Sequence, residues 1–350
     1  MKNTKQAPSW IKKVSIPVII FAISAYFIPW GILFTWLTPV HDTVEEEVEG
    51  IINHKLDGAL VYVDHGGQTA SYASGWFDRK TQIEAQPDDL FKIASISKLY
   101  VASAVTKLVA DDQLALDDTL VDLLPRVEGR IEYAETITLG HLISHRSGIP
   151  NYVDHPDFPW TDLPTKNAQY EQWVFDQPAD FQPDDKYAYS NSNYYLLGEI
   201  LDRTLGYNHH RYIEKEILVP LGLEDTYMRM DLAPVDHLVS GYDMGYDFDF
   251  KVRDFIGTGG SMVATAEDVG RFMRAMIDGS LFTEEEQEIY SSVYSYGHTG
   301  LLPGYSSITH FHEDIDAVVV LLINTSGGDS WSRVEILYGN IVEILKKQSP

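Results

Sequence analysis

A run of 27 residues without a charged side chain, from Val14 to Val40, constrains this chain more than any other feature. A bilayer core about 30 Å thick needs roughly 20 helical residues, so the run is long enough to span it with some tilt. A cleaved signal peptide is the alternative, but its apolar region is usually about 7–15 residues long and ends at small residues. Residues 34–40 offer no such cleavage site. The sequence therefore predicts a retained transmembrane anchor over residues 14–40.

Charge is divided unevenly about this run. Four lysines and no acidic residue lie within residues 1–13, whereas every Asp and Glu follows residue 40. Because the cytoplasmic flanks of membrane helices are enriched in Lys and Arg, we expect a single-pass protein of the cell membrane. Residues 1–13 would be a cytoplasmic tail, and residues 41–350 an extracytoplasmic domain. The lipid bilayer is then a predicted partner of residues 14–40.

Composition excludes several classes of function. The net charge of −26 argues against nucleic acid as a partner, because phosphate binding requires a basic face. The chain has no cysteine, which excludes disulfides, thiolate zinc sites and a catalytic thiol. A hydrophobic content of 44% fits an ordinary folded domain with a sizeable core.

The pattern along the exported chain indicates a sheet built from both chain ends. Residues 59–76 predict a β-hairpin, and the continuous apolar run at residues 317–323 predicts a central strand. Apolar spacing predicts helices over residues 42–55, 97–109, 194–204, 265–277 and 332–347, the last opening with a capping box, Ser332-x-x-Glu335. Six prolines between residues 150 and 183 predict a long irregular segment of the kind that borders binding sites. This order favours an α+β fold with a helical insertion.

One serine–lysine pair has the spacing of a nucleophile and its base. In Ser95-x-x-Lys98 the two side chains lie one helical turn apart. A serine that attacks an acyl group needs a proton acceptor within reach, and a desolvated lysine can be a neutral amine near pH 7. The spacing alone is weak evidence, because Ser9-x-x-Lys12 repeats it on the predicted cytoplasmic side.

Two further motifs follow in the chain. In Tyr189-x-Asn191 a phenol and an amide project to one side of an extended segment, where the phenol can relay a proton and the amide can hold a carbonyl. In His298-Thr299-Gly300 a titratable ring and a hydroxyl stand beside a glycine that lets substrate approach the backbone.

The order of these motifs resembles the three-motif signature of the serine β-lactamase and penicillin-binding protein superfamily. The middle motif resembles the branch that holds class C β-lactamases, DD-peptidases, D-aminopeptidases and related esterases. Similar landmarks surround the motifs, at residues 137–150, 189–198, 220–226, 259–268 and 297–306. The resemblance covers roughly residues 42–345. It implies the β-lactamase/transpeptidase-like α+β fold, an antiparallel sheet flanked by helices with a helical insertion subdomain.

The resemblance also implies roles for individual residues. Ser95 would be the nucleophile and Lys98 its proton acceptor. Tyr189 would pass a proton to the leaving group and later help to activate water, while Asn191 would bind substrate and Lys98. The backbone N–H groups of Ser95 and Leu301 would form the oxyanion hole. No metal or organic cofactor is implied.

Two departures from the family pattern bear on the substrate. His298 stands where most β-lactamases have lysine, so we expect carboxylate binding beside His298, Thr299 and Gly300 to strengthen as pH falls and the imidazole gains its proton. The segment from Glu284 to Tyr296 is shorter than in the family, which predicts a missing edge strand.

The resulting expectation is a membrane-anchored serine hydrolase that acts on D-amino-acid-containing wall peptides in a DD-peptidase-like reaction. An esterase or D-aminopeptidase-like hydrolase of the same fold is the first alternative. A non-hydrolytic wall-binding or scaffold protein is the second. His141 and His145 could also ligate zinc, but no HExxH pattern surrounds them, and the resemblance makes them structural.

Overall fold

The computed structural model describes residues 28–160 and 162–349. The predicted cytoplasmic tail and residues 14–27 of the predicted anchor lie outside this part. Within it, no helix combines the length and the apolar character that crossing a bilayer requires. The rest of the predicted anchor contains one short helix, Trp30–Leu37, which packs against the last helix of the chain.

The described chain is a mixture of helices and short strands. The α-helices, numbered α1 to α12 in chain order, are Trp30–Leu37, Val44–Gly50, Ser97–Ala110, Leu120–Leu123, Leu139–Ile143, Glu171–Val174, Asn191–Leu205, His209–Ile213, Val219–Leu221, Ala266–Asp278, Glu284–Val293 and Ser330–Gln348. The strands, β1 to β11, are Gly58–His65, Gln68–Asp78, Ile83–Glu84, Phe91–Lys92, Thr226–Tyr227, Tyr242–Asp243, Val263–Ala264, Gly297–Leu302, Tyr305–His312, Ala317–Ile323 and Thr325–Ser326.

The main sheet joins the two ends of the domain, as predicted. Its order is β3-β2-β1-β10-β9-β8, and all of its pairings are antiparallel. β1 pairs with β10 in a register that runs from Ala59 opposite Ile323 to His65 opposite Ala317. The predicted α+β architecture is therefore confirmed.

β10 is one of the two middle strands of the sheet, and every residue in it is buried. Its odd-numbered residues pack with α2 and α12 on one face, and its even-numbered residues pack with α3 and α10 on the other. In a strand that is covered on both faces, apolar and polar residues do not alternate, because neither face contacts water. This explains the unbroken apolar run from Ala317 to Ile323.

The insertion between the two halves of the sheet is mainly helical. Its central element is α3, in which eleven of fourteen residues are buried. α3 and α7 pack together, and the proline-rich segment between residues 150 and 183 forms only short helical turns, as predicted. The start of α3 therefore lies between the insertion and the sheet.

The structure differs from the sequence prediction at the start of the last helix. α12 begins at Ser330 with Asp329 as its N-cap, so the predicted capping box at Ser332 is wrong. Gly327 and Gly328 have φ of 75° and 55°, and this left-handed turn lets the helix begin earlier. Asp329 also pairs with Arg333 at 2.6 Å across the first turn.

The short segment before the third motif folds as α11, which is followed by a three-residue link to β8. In the described sheet β8 is an edge strand with only β9 beside it, which agrees with the predicted absence of a further strand.

Candidate active site

Ser95 lies in a tight turn just before α3. The turn is the 3-10 helix Ala94–Ile96, and Ala94 has a φ of 51°, a strained value for a residue with a side chain. Ser97 stabilises the turn, because its hydroxyl donates to the Ala94 carbonyl at 2.6 Å and accepts from the Met262 N–H at 3.2 Å. Strain held by such bonds is typical of functional sites.

Lys98 is fully buried beneath Ser95. Its Nζ lies 3.2 Å from Ser95 Oγ, 2.9 Å from Asn191 Oδ1 and 2.6 Å from the carbonyl oxygen of Gly259. Burial holds the Lys98 pKa well below its ordinary value, and no carboxylate is among its contacts. A neutral amine has two N–H groups and one lone pair. The amide and carbonyl oxygens can accept only, so they take the two N–H groups, and the lone pair faces the Ser95 hydroxyl.

Tyr189 completes the network around the nucleophile. Its hydroxyl donates to Ser95 Oγ at 2.8 Å and lies 3.5 Å from Asn191 Oδ1. Burial raises the pKa of Tyr189 above its ordinary value, so the phenol keeps its proton in the free protein. Ser95 Oγ therefore receives a hydrogen bond from Tyr189 and donates its own proton towards Lys98.

Asn151 fixes the orientation of Asn191, a role that the sequence analysis missed. Asn151 Oδ1 accepts from the backbone N–H of Asn191 at 2.9 Å and from its Nδ2 at 3.1 Å. An amide held by its NH₂ end has its oxygen directed the other way, here towards Lys98. Asn151 comes directly after the landmark at residues 137–150, and that proximity was the only signal in the sequence.

His145 holds the segment that carries Tyr189. Its carbonyl oxygen accepts from the Ala188 N–H at 2.9 Å, and its Nδ1 accepts from the Ser190 N–H at 3.1 Å. Its ring lies against Tyr189 and Tyr194, with centroids 4.6 and 5.3 Å away. Burial lowers the His145 pKa to about 2, so the ring is neutral.

The contacts of His141, which lies in α5, and of His145, which lies just after it, fit the structural role expected of them. His141 Nδ1 accepts from the backbone N–H of Thr138, which caps the helix that carries it. Across the described ranges, no three His, Asp or Glu side chains gather closely enough to hold a metal ion.

The third motif forms β8 beside the nucleophile. Gly300 lies where an added Cβ would overlap the Ser307 hydroxyl and would lie 2.6 Å from the Ile93 carbonyl oxygen. That hydroxyl donates to the same carbonyl at 3.1 Å, which ties β9 to the turn carrying Ser95. Glycine is therefore required here by the close approach of strand and turn.

The surroundings of His298 favour its neutral form. Its ring stacks on Tyr294 at 6.1 Å between centroids, and its Nδ1 bonds the carbonyl oxygen of Thr299. Burial lowers the His298 pKa to about 3. This direction goes against the expectation that the ring gains a proton in mildly acidic solution, and that expectation stays a prediction.

These residues surround an open cavity of about 950 Å³. Among the described residues that line it, Arg146 alone carries a permanent charge, and Arg146 pairs with Asp184 at 3.3 Å on the surface. The aromatic and apolar residues that line the cavity are Val153, Trp160, Tyr187, Tyr189, Phe255, Val293, Tyr294, Leu301 and Leu302. A cavity of this size and lining fits a small peptide or ester.

The structure brings Ser95, Lys98, Tyr189 and Asn191 into one hydrogen-bonded cluster. The predicted substrate-binding residues His298, Thr299, Gly300 and Leu301 follow one another on β8, and all but Gly300 line the cavity directly. The roles given to these residues, including the oxyanion hole at Ser95 and Leu301, stay predictions.

Sequence relatives point to one family. The sequence profile described as Beta-lactamase matches residues 40–292. Penicillin-binding protein 4 of Amycolatopsis lactamdurans is 29% identical over 239 residues, which are 64% of this chain and 60% of that protein. PbpX of Bacillus subtilis (strain 168) is 24% identical over 293 residues, 77% of this chain and 71% of that protein. This chain thus spans less than two thirds of the Amycolatopsis protein.

Solved structures share the fold. The D-amino acid amidase from Ochrobactrum anthropi SV3 superposes with a TM-score of 0.78 at 22% identity, covering 87% of this chain and 98% of that one. A β-lactamase/D-alanine carboxypeptidase from Pseudomonas syringae superposes with a TM-score of 0.71 at 18% identity, covering 88% and 98%. The profile match covers most of the chain, and the family resemblance is confirmed. The chain belongs to the β-lactamase and penicillin-binding protein family of serine hydrolases.

Proposed function

We propose that this chain hydrolyses D-amino-acid-containing peptides of the cell wall through an acyl-Ser95 intermediate, in a DD-peptidase-like reaction. The observation that carries the proposal is the hydrogen-bonded cluster of Ser95, Lys98, Tyr189 and Asn191 at the cavity. A nucleophile, a neutral base and a neutral proton donor are already in contact there, which is the arrangement that acyl transfer requires.

These contacts support the following sequence of proton transfers. Ser95 Oγ attacks the substrate carbonyl carbon, and its proton passes to Lys98 Nζ. As the tetrahedral intermediate collapses, the leaving group takes the proton of Tyr189, which then regains one from Lys98. A water attacks the acyl carbonyl and gives its proton through Tyr189 to Lys98. The Ser95 oxygen leaves the acyl group and recovers that proton.

Names of similar proteins support a D-amino-acid substrate, since one is a D-amino acid amidase and another a D-alanine carboxypeptidase. Hydrolysis of neutral esters or amides is the second candidate, and the neutral His298 favours it. A D-aminopeptidase-like reaction is less favoured, because no Asp or Glu is among the described residues that line the cavity to pair with a free amine.

Mass spectrometry of the intact protein tests the proposal. After exposure to β-lactams, activated esters and acyl-D-Ala-D-Ala peptides, we expect a covalent adduct on the wild type and none on Ser95→Ala. Ser292→Ala is the matched control, because Ser292 is an exposed serine of the same cavity whose hydroxyl bonds only its own helix. Absence of any adduct or turnover from the whole panel would favour the non-hydrolytic wall-binding role.

We also propose that residues 14–40 anchor the chain in the cell membrane with the hydrolase domain outside. The support is the uncharged run and the lysines that precede it. Protease added to intact cells should remove the domain beyond residue 40. Digestion only after permeabilisation would contradict this orientation.

A further inference from the structure

In the helix α1 the polar side chain is buried and large apolar side chains are exposed, which is the reverse of an ordinary surface helix. It has the sequence Trp-Gly-Ile-Leu-Phe-Thr-Trp-Leu, and Thr35, its only polar residue, is 1% exposed. Phe34, Trp36 and Leu37 are 58%, 68% and 62% exposed. A helix that lies between a domain and water buries its apolar stripe and exposes its polar one.

The inward side of α1 is a built contact with the domain. The Thr35 hydroxyl lies 3.0 Å from His54 Nδ1 and 3.0 Å from the carbonyl oxygen of Gly31. Gly31 packs so closely on the guanidinium of Arg333 that an added Cβ would overlap it. Arg333 is buried and donates to the His54 carbonyl at 2.6 Å. The helix is therefore docked on the domain and is not a free linker.

The outward side of α1 is apolar. Trp30, Phe34 and Leu37 recur at helical spacing, so their side chains share one face, and each is more than half exposed. Large apolar side chains on one face of a helix mark a contact with lipid or with another protein.

We infer that α1 lies in the outer interface of the bilayer and holds the hydrolase domain directly on the membrane surface. This inference rests on the proposed membrane anchoring and assigns the crossing itself to the part of the uncharged run that precedes α1. It commits to lipid because the run of uncharged residues continues without a break from residue 14 into α1. Tryptophan is also the side chain that is enriched where a bilayer meets water. The site would then act on acyl groups held close to the membrane.

Spin labels can test the contact, because the chain contains no cysteine of its own. The full chain carrying Phe34→Cys is labelled with a nitroxide and reconstituted in phosphatidylcholine–phosphatidylglycerol vesicles. Leu232→Cys is the matched control, since Leu232 is 60% exposed and lies in the insertion. We expect oxygen to relax the label at position 34 several-fold more than a water-soluble nickel chelate does, and the reverse at position 232.

The outcomes separate the contact from the anchor. If the protein floats with the vesicles but the nickel chelate reaches position 34 as readily as position 232, the inference is overturned. The proposed membrane anchoring would still stand. Protein that does not float would contradict the anchoring. Dipolar broadening between labels at position 34, with little access for either reagent, would mean that a second copy covers the face, which also overturns the inference.

A second variant tests the docking. Gly31→Leu places a side chain against the Arg333 guanidinium, so α1 should leave the domain while the chain stays in the vesicle. We expect the mobility of a spin label at position 34 to rise several-fold, which narrows the lines of its spectrum. The rate of Ser95 acylation should stay unchanged. Equal mobility with and without Gly31→Leu would show that α1 is not docked.

Discussion

The two walls of the cavity are built differently. The nucleophile wall, made of Ser95, Lys98, Tyr189 and Asn191, is joined by hydrogen bonds in which each polar atom has a partner. The strand wall, β8, presents the exposed side chains of Thr299 and Leu301 and the neutral ring of His298. The groups proposed to react are thus held by hydrogen bonds in the free protein, whereas the side chains proposed to select substrate are open to it.

This difference separates chemistry from selection. On the nucleophile wall, a change of one atom alters a protonation state or an orientation on which every substrate depends. On the strand wall, a change of side chain alters contacts with one part of the substrate only. Variants of the first kind should therefore lower all acylation rates, and variants of the second kind should change the ratio between substrates.

The largest effect is expected for Lys98→Ala. Within the described part of the chain, Lys98 has the one amine that contacts Ser95, so its removal should slow acylation about 10²–10⁴-fold for every substrate. The measurement is the single-turnover rate of Ser95 acylation by an activated ester. Lys107→Ala is the control, because Lys107 is on the same helix but contacts Leu281 and Glu286. A loss confined to one substrate would contradict the assignment of Lys98 to the chemistry.

Gly300→Ala tests how closely the strand wall must approach the nucleophile. Its methyl group would push β8 away from the Ile93 carbonyl and so displace the backbone of Leu301. A misplacement of about 1 Å can cost about 100-fold in rate, and we expect a loss of that size in single-turnover acylation. Gly339→Ala, with no atom within 4 Å of the added Cβ, should leave the rate unchanged. If Gly300→Ala is acylated at the wild-type rate, the position of β8 does not set the geometry of the acylation step.

Asn151→Ala should have a smaller effect. The variant frees the Asn191 amide to rotate away from Lys98, which should lower acylation about tenfold, the value of one net hydrogen bond. Asn151→Asp keeps the acceptor oxygen and should restore the rate, while its charge should move the acid limb of the pH–rate profile upwards. Loss of thermal stability in Asn151→Ala without any change in rate or pH profile would leave Asn151 a packing residue only.

Much of the nucleophile wall could be predicted from the sequence, because its spacings are local. Ser95 and Lys98 lie one helical turn apart, and Tyr189 and Asn191 lie two residues apart. β10 could also be predicted, since burial on both faces produces a continuous apolar run. Asn151 could not, because its role depends on a contact across 40 residues.

The strand wall was less predictable because its properties depend on packing. Burial is the main cause that lowers the His298 pKa, and the Tyr294 ring stacked on it is not marked by the motif as its neighbour. The start of α12 depends on two glycines in left-handed conformations, which outweigh the Ser332-x-x-Glu335 pattern. Local patterns therefore located the motifs, and long-range contacts decided their electrostatics.

The smallest effect concerns His298 and the choice between charged and neutral substrates. Acylation by a carboxylate substrate and by its neutral ester should both fall in acid, because protonated Lys98 cannot accept the Ser95 proton. Their ratio cancels that loss. Since its pKa of about 3 keeps His298 neutral, the ratio should stay flat between about pH 5.5 and 8. His298→Lys should raise the ratio in favour of the carboxylate substrate about tenfold, the value of a charged hydrogen bond. Arg146→Gln should lower the same ratio only a few-fold, because Asp184 already partly neutralises Arg146. If the wild-type ratio instead rises as pH falls, His298 titrates in this range. The strand wall would then be positively charged in mild acid, which would contradict the neutral ring.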